Sequence, residues 1–351
     1  MQLREFRGKE FVNREKEIEY LKNRFEKNPE EILWLYGPKS TGKTTLIEYI
    51  IENELTSGLK IFDKYWIKYI NFRGMMIGNY DSFINSFFEK VEKDDFTNEI
   101  KAGFDIGIFK LEAKILEQIK NRDKNMFHEL IEKFKKINKT KILVLDEIQT
   151  LEDIYYNGEK ELLKEFLNFC VRLTKELHLA HVVILSSNTI FIDQIYNDAK
   201  LKVTSEFKKI DHLDKETIFE YLEYKGIREK ELIWEYLGGC IPLVQRCMRN
   251  VEYYDNTQEY LNYVVKLTKN EIIDLIDKNF DDREQEIFKD IIKKVLEFNG
   301  YVLPEGTKKE IYEIVDFMTK REIFFYDPLE RKVTGNNRLY EKAFEDLLYS
   351  R

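Results

Sequence analysis

Cysteine, proline and glycine are scarce in this sequence, which holds 3, 5 and 15 of them in 351 residues. Cys170, Cys240 and Cys247 include no Cys-x-x-Cys pair, and an odd number does not fit a disulfide framework. We therefore expect buried thiols in a reducing cytoplasm, and not a redox or metal site. Because glycine and proline disfavour helix interiors, their scarcity favours a mostly helical protein.

Long apolar runs and an excess of positive charge are also missing. No apolar run approaches the ~20 residues that span a bilayer, and residues 1–5 lack the apolar core of a signal peptide. These absences predict a cytoplasmic protein without a membrane partner. The net charge of -8 argues against a protein that coats nucleic acid, although a local basic patch stays open.

Two of the few glycines frame a phosphate-binding motif. The pattern G-x-x-x-x-G-K-[ST] is matched by Gly37-Pro38-Lys39-Ser40-Thr41-Gly42-Lys43-Thr44. An apolar run at 32–36 predicts a strand before the motif, and residues 45–51 predict a helix after it, with Thr45 as a further phosphate contact. Loop amides and the positive end of the helix would surround the phosphates. The sequence thus predicts a nucleoside triphosphate site.

Carboxylates follow a later apolar strand, in Ile142-Leu143-Val144-Leu145-Asp146-Glu147. Lys43 is expected to reach the β- and γ-phosphates, and Thr44 to ligate Mg²⁺. Asp146 is expected to hold the same ion through water, and Glu147 to polarise the attacking water. Because Glu147 supplies a base for water, the pair favours a hydrolase over a kinase of small molecules.

The next apolar strand ends in Leu185-Ser186-Ser187-Asn188. Asn188, or else Ser187, is expected between the acids and the γ-phosphate, and a helix N-cap is the equal alternative. Asn71, after another strand, is expected either to hold Glu147 inactive by a hydrogen bond or simply to end its strand in a turn.

Strands and helices alternate through the first part of the chain, which predicts an α/β protein with a parallel sheet. The strands are expected at 32–36, 65–72, 141–146 and 181–186. A helix is predicted through Phe83, Phe87 and Val91, and a short β excursion at 102–110. After residue 214 helices dominate, and the last ~70 residues form a separate unit. There, two helices precede short strands at 323–326 and 332–334, as in a winged helix-turn-helix.

Together these motifs resemble the archaeal ATPase family, a branch of the P-loop NTPases close to the AAA+ and STAND groups and to the origin-recognition ATPases. The opening Phe11-Val12-Asn13-Arg14-Glu15 is similar to the family's F-x-x-R-E, and Gly238-Gly239-Cys240-Ile241-Pro242 to its Gly-x-Pro lid motif.

The resemblance implies a three-layer P-loop core with a five-stranded parallel sheet at 1–212. A helical lid at 213–278 and a winged-helix-like unit at 279–351 would follow. It implies ATP as nucleotide and Mg²⁺ as ion, with Arg14 near the adenine and Pro242 approaching the base or the phosphates.

Two departures from the family pattern concern the lid and the arginines. Two residues, instead of one, separate the glycine pair from Pro242. No arginine lies between Arg172 and Arg228, where an arginine finger is expected. A lysine there (Lys200, Lys202 or Lys208) would lack the planar fork, and Arg246 or Arg249 of the lid is a sensor arginine or a solvated side chain. We therefore expect slow hydrolysis, or a protein partner that supplies an arginine.

The charges of the C-terminal unit give opposite indications about DNA as its partner. Acids in the presumed reading helix (Glu310, Glu313, Asp316) oppose DNA, whereas bases near the hairpin (Arg331, Lys332, Arg338) favour it. The sequence supports three functions: an ATP-hydrolysing switch, a nucleotide-gated DNA-binding protein, or a scaffold that keeps ADP bound and turns over negligibly. A protein-docking or autoinhibitory role is the alternative to DNA for this unit.

Overall fold

A computed structural model describes residues 2–55, 64–74, 79–91, 109–154, 162–197 and 199–349. Its first strands are β1 Leu3–Phe6, β2 Lys9–Val12, β3 Ile32–Tyr36, β4 Tyr65–Asn71, β5 Phe88–Val91, β6 Phe109–Glu112, β7 Thr140–Asp146, β8 His181–Ser186 and β9 Ser205–Lys209. The helices between them are α1 Glu15–Phe25, α2 Lys43–Tyr49, α3 Tyr80–Asn85, α4 Ala113–Lys120, α5 Met126–Lys135, α6 Leu162–Val171, α7 Thr189–Asn197 and α8 Ala199–Val203.

Short 3₁₀ or π-helical turns extend or follow several of these elements, at Ile50–Leu55, Phe72–Gly74, Ile148–Asp153 and Arg172–Glu176. The later helices are α9 Lys215–Tyr224, α10 Lys230–Leu237, α11 Ile241–Asn250, α12 Thr257–Asn279, α13 Asp282–Glu297, α14 Lys309–Lys320 and α15 Arg338–Tyr349, with a 3₁₀ turn at Val251–Tyr253 after α11. The later strands are β10 Tyr301–Val302, β11 Phe324–Asp327 and β12 Lys332–Gly335.

A parallel sheet with helices on both faces forms the centre of the described N-terminal part, as the sequence predicted. Within the described ranges it has five strands in the order β4-β7-β8-β3-β9. Successive side chains of β3 lie on opposite faces of the sheet. Leu33 and Leu35 pack with α1 and α2, while Trp34 packs with the aromatic cluster around Phe166. Burial on both faces explains the continuous apolar runs.

The fifth strand, β9, was implied by the family resemblance but not located from the sequence. Its residues are all half-buried, because it is an edge strand beside β3. Its sequence Ser-Glu-Phe-Lys-Lys carries no apolar run, so no strand signal was available. Glu206 on this strand pairs with Arg24 and accepts from Tyr20, which fixes α1 against the edge.

The helix predicted through Phe83, Phe87 and Val91 is wrong in its second half. The helix ends at Asn85, and Phe88–Val91 pairs in parallel with Phe109–Glu112. A spacing of four residues fits a helix locally, but a strand partner distant in the chain overrides it. Of the predicted β excursion at 102–110, residues 102–108 lie outside the described residues.

Helices dominate after residue 214, as the sequence predicted, and α12 joins two apolar clusters. Its Leu261 packs with the α9–α11 cluster, while Ile272 packs with the cluster of α13, α14 and α15. The strands β10, β12 and β11 form an antiparallel sheet in that order.

The predicted domain boundaries at 212/213 and 278/279 stay a prediction. Among the described residues, no helix has the length and apolar character needed to cross a membrane.

One glycine is required by the close approach of α10–α11 to the core. A Cβ on Gly239 would lie 1.8 Å from the carbonyl oxygen of Leu213, whose N–H donates to Gly239 O at 3.1 Å. No side chain fits between these two backbones. The glycine pair of the lid motif therefore seats the lid helices against the chain that leaves the sheet.

Replacement Gly239→Ala should lower the free energy of unfolding by about 3 kcal/mol, because backbone atoms must separate. Gly306→Ala is the matched control: a Cβ at that position would meet no atom within 4 Å, so only the φ of +75° opposes the change, at about 1–2 kcal/mol. Thermal and urea unfolding would measure both. Equal shifts in the two variants would contradict the close approach.

Candidate functional site

The glycine-rich loop begins where β3 ends and finishes where α2 begins. Gly37 has φ +147°, and a Cβ there would lie 2.1 Å from the carbonyl oxygen of Ile210. Gly42 has φ +85° and directly precedes the first helical residue, Lys43. The loop thus needs glycine at both ends, and it leads directly into the positive end of a helix.

Lys43 lies across the loop that it follows. Its ammonium donates to Gly37 O at 2.9 Å and to Pro38 O at 2.8 Å, and the residue is 8% exposed. Burial lowers the pKa of Lys43 to about 8, although Glu147 and Asp146 oppose that shift. Carbonyl oxygens are weaker partners for an ammonium than phosphate oxygens, so an entering phosphate would capture this side chain.

The side chains of Thr44 and Asp146 are in direct contact, and the Mg²⁺ role expected for each stays a prediction. The Thr44 hydroxyl donates to Asp146 Oδ2 at 2.8 Å, and the Tyr69 hydroxyl donates to the same oxygen at 3.0 Å. Burial raises the pKa of Asp146, with these two donors opposing the shift. Tyr69 was not identified as a site residue from the sequence. The parallel pairing of β4 with β7, which aligns Asn71 with Asp146, brings it to the site.

A magnesium ion fits this pair, since Mg²⁺ prefers hard oxygen ligands and usually takes one or two protein ligands plus phosphates. No cluster of three or more His, Cys, Asp or Glu side chains suited to a metal occurs in the described part of the chain. The oxygens of Thr44 and Asp146 suit an ion that is shared with a nucleotide.

Glu147 follows Asp146 in a left-handed conformation, with φ +60°. Arg73 Nη2 lies 2.8 Å from its Oε1, and the Gln149 amide donates to Oε2. Burial raises the pKa of Glu147, and the charge of Arg73 opposes the rise. Of the two alternatives for Asn71, a bond to Glu147 or a strand-ending turn, the structure shows the second: Asn71 Oδ1 accepts the backbone N–H of Arg73 at 3.0 Å. Neither Arg73 nor Gln149 was anticipated.

Asn188 has the N-cap geometry that was the alternative to a phosphate contact. Its Oδ1 accepts the N–H of Phe191 at 3.1 Å, in the first turn of α7. The neighbouring Ser186 donates to Gln149 Oε1 at 3.3 Å, which links the end of β8 through Gln149 to Glu147. A contact of Asn188 or Ser187 with a γ-phosphate stays a prediction.

A cavity of about 810 Å³ opens beside the loop. That volume lies within the range of small-molecule sites. One wall is the loop itself, with the N-terminal strand and Arg14, and the other is the lid. The loop residues that line it are Ser40, Thr41, Gly42 and Thr45.

Arg14 is buried, and its Nη2 donates to Thr41 O at 2.8 Å and to Asp211 O at 2.6 Å. It therefore braces the phosphate loop against the end of the sheet as well as lining the cavity. The family resemblance implied a position of Arg14 near the adenine, and that contact stays a prediction.

One face of α11 forms the lid wall of the cavity, through Ile241, Pro242, Gln245, Met248 and Arg249. Their spacing is that of a single helix stripe. The structure thus places Pro242 at the cavity despite the extra residue before it. Of the two candidate sensor arginines of the lid, Arg249 lines the cavity and Arg246 does not.

The C-terminal unit touches the loop from the other side, which no sequence signal indicated. The Lys39 amide donates to Asn336 Oδ1 at 3.0 Å, and the Lys39 ammonium pairs with Glu322. Asn336 is 5% exposed, and its own amide donates to Glu322 O at 2.6 Å. Close by, Tyr36 donates to Asp327 Oδ1 at 3.2 Å. The C-terminal unit therefore packs directly on the phosphate loop.

The sheet and the glycine-rich loop at its carboxyl edge define an α/β protein of the P-loop NTPase type. A family model described as an ATPase domain predominantly from Archaea matches residues 11–247. The chain belongs to this family of ATPase domains, as the sequence resemblance indicated.

Several archaeal proteins are similar over almost their whole length. An uncharacterized ATP-binding protein of Methanocaldococcus jannaschii is 34% identical over 322 residues, covering 90% of this chain and 93% of that protein. A similarly named protein of Pyrococcus abyssi is 29% identical over 352 residues, covering 96% and 98%.

Among solved structures, the Aeropyrum pernix ORC2 protein in its ADPNP–ADP complexes has a TM-score of 0.46 at 13% identity, covering 95% of this chain and 93% of that one. The Aeropyrum pernix ORC1 protein in complex with DNA has a TM-score of 0.44 at 13% identity, covering 96% and 93%.

The depressed pKa of Lys43 predicts a pH dependence of nucleotide binding. Near pH 8 much of the free protein holds Lys43 neutral, whereas phosphate oxygens would hold it charged. Binding should then take up protons, and affinity should fall as pH rises from about 7.5 to 9.5. Titration calorimetry in buffers of different ionisation enthalpy measures the uptake.

Lys43→Arg is the matched control for this prediction, because its guanidinium stays protonated. The variant should show no proton uptake over the same range. Equal uptake in Lys43→Arg and the wild type, or an affinity that is constant with pH, would contradict the prediction.

Proposed function

We propose that this protein binds ATP with Mg²⁺ and hydrolyses it as a nucleotide-driven conformational switch. One observation carries the proposal: Lys43, Thr44, Asp146 and Glu147 lie together at the carboxyl edge of the sheet, with Thr44 and Asp146 in contact. Ligands of open α/β sheets bind at that edge. Membership of an ATPase family and relatives named as ATP-binding proteins support the same conclusion.

The residues of the loop bind and orient the substrate. Amides from Ser40 to Thr44 and the start of α2 receive the phosphates, and Lys43 leaves its loop carbonyls for the β- and γ-phosphates. Thr44 and Asp146 would hold Mg²⁺, which supplies neutralising charge to the phosphates when bound. The cavity between Arg14 and α11 receives the base and ribose.

Glu147 performs the proton transfer. As the water oxygen forms a bond to the γ-phosphorus, the bond from that phosphorus to the oxygen bridging to the β-phosphate breaks. The carboxylate accepts the water proton, ADP and inorganic phosphate leave, and Glu147 returns the proton to solvent. Burial favours this role, because the raised pKa makes the carboxylate a better proton acceptor.

Glu147→Gln should lower the turnover of ATP by about 10²-fold or more, since an amide accepts no proton, while ATP binding persists. Phosphate release and equilibrium nucleotide binding measure the two effects. Glu176→Gln, which removes only an exposed partner of Arg172, is the control and should be neutral. Hydrolysis at the wild-type rate in Glu147→Gln would refute the assigned base. Co-purified ADP without steady-state turnover in the wild type would instead support the scaffold.

The switch rests on contacts that join the nucleotide loop to the C-terminal unit. Glu322 and Asn336 hold Lys39, and the Glu322 carboxylate lies close enough to influence Lys43 electrostatically. A γ-phosphate would bring negative charge toward that carboxylate, and like charges in a partly buried site repel. ATP should therefore loosen this contact, and ADP should tolerate it.

Hydrogen exchange in residues 322–336 tests the switch. With Glu147→Gln blocking turnover, exchange should be faster in ATP–Mg²⁺ than in ADP. Asn336→Ala should exchange fast in both states, because the bond to the Lys39 amide is lost. Asn279→Ala, which removes an exposed bond at the end of α12, is the control and should keep the difference. Identical exchange in both nucleotides for the parent protein would contradict the switch.

The C-terminal unit favours a docking role over DNA. The bases of its presumed reading helix, α14, pair with acids, as in Lys309–Glu313 and Lys320–Asp316. Helix α14 also packs against α7 of the core. At the hairpin, Asp327 is engaged by Tyr36 and Lys209. DNA binding would require this surface to separate from the core, so duplex DNA remains the second candidate partner.

A further inference from the structure

Arg73 occupies a position that the sequence pattern gave no reason to examine. It stands just beyond the end of β4, where Asn71 aligns with Asp146 of β7. Its backbone N–H donates to Asn71 Oδ1 at 3.0 Å, which fixes the start of the side chain. The carboxyl ends of parallel strands share one edge, so Arg73 emerges on the edge that carries Asp146 and Glu147.

The guanidinium of Arg73 forms an ion pair with Glu147. The arginine side chain is mostly exposed to solvent, whereas the glutamate side chain is largely buried. Nη2 lies 2.8 Å from Glu147 Oε1, and the side chains are 61% and 13% exposed respectively. Its charge also acts on Asp146. A guanidinium that is mostly in water at one end of a buried carboxylate can change partners without a large desolvation cost.

The ion pair fits a resting state better than a hydrolysing one. Arg73 forms an ion pair with Oε1 of Glu147, and the Gln149 amide donates a hydrogen bond to Oε2, so both oxygens of the expected base already have a partner. A water molecule donating to Glu147 competes with these two groups for the carboxylate. A γ-phosphate arriving nearby offers Arg73 an anion that its planar fork binds in two-pronged fashion.

Arg14, Arg249 and Lys208 lie at other positions than Glu147. Arg14 is buried against Thr41 O and Asp211 O. Arg249 lines the lid side of the cavity, and the Lys208 ammonium lies over the Tyr20 ring at 5.1 Å. Within the described residues, the guanidinium in contact with Glu147 is that of Arg73.

We propose that Arg73 is a catalytic arginine supplied from within the chain, which passes from Glu147 to the γ-phosphate when ATP is bound. There it stabilises the charge that develops as the water oxygen bonds to the γ-phosphorus and the bond to the bridging oxygen breaks. Its departure frees Glu147 Oε1 to accept the water proton. The inference rests on the proposed hydrolysis, and it removes the need for an arginine from a protein partner.

Arg73→Ala tests this assignment under saturating ATP and Mg²⁺, with Arg172→Ala as the matched control, an exposed arginine whose partner is Glu176. Arg73→Ala should lower kcat by about 10³-fold and change the Kd for ATP by less than about threefold. It should also lose trapping of ADP with aluminium fluoride. Arg73→Lys should recover only part of the rate, and added guanidinium ion should partly rescue Arg73→Ala.

A pH profile separates contact with the phosphate from an effect through Glu147 alone. The rate deficit of Arg73→Ala should persist at every pH, whereas a role confined to Glu147 would shift the acid limb of the profile. Such a shift without a persistent deficit would overturn the proposal, as would turnover equal to or above the wild type. Absence of turnover in the wild type would overturn the proposed function itself, and the role of Arg73 with it.

Discussion

Parallel pairing of the central strands is the constraint on which the rest of this structure depends. Main-chain hydrogen bonds align Tyr36 with Ser186 and Asp146 with Leu185. The residues that follow each strand therefore leave the sheet at one edge. Thr44 and Asp146, separated by 102 positions in the chain, meet there at 2.8 Å. A shift of β7 by one residue would turn the Asp146 side chain to the opposite face of the sheet and away from Thr44.

A common electrostatic pattern runs through the site. Three cations of the site are held by acceptors within the protein: Lys43 by loop carbonyls, Arg73 by Glu147, and Lys39 by Glu322. In the proposed function, a phosphate would replace these acceptors. These contacts satisfy buried or half-buried charge without substrate, as physical chemistry requires. In the proposed function, a triphosphate would rearrange several of these contacts at once. Binding at the loop would then act on both Glu147 and the C-terminal unit.

Local patterns were sufficient for the loop, the strand that ends at Asp146 and the helices from α9 to α15. Each is set by a contiguous run of residues, whose spacing or glycines express its geometry directly. Prediction failed at Phe88–Val91 and was silent at β9, where pairing with distant strands decides the conformation. Nor did the sequence indicate Gln149 and Arg73. Both residue types are common on protein surfaces, and only the fold brings these two side chains to Glu147.

The sequence by itself determined that a phosphate loop, an acidic strand end, a helical segment and a hairpin-bearing unit follow one another. It did so because these features are encoded within short stretches. Only the tertiary structure decided what surrounds the loop: Arg73 on Glu147, the α11 face at the cavity, and Asn336 on the Lys39 amide across 297 positions. The residues in such contacts belong to no common sequence pattern. They therefore become partners only when the chain folds.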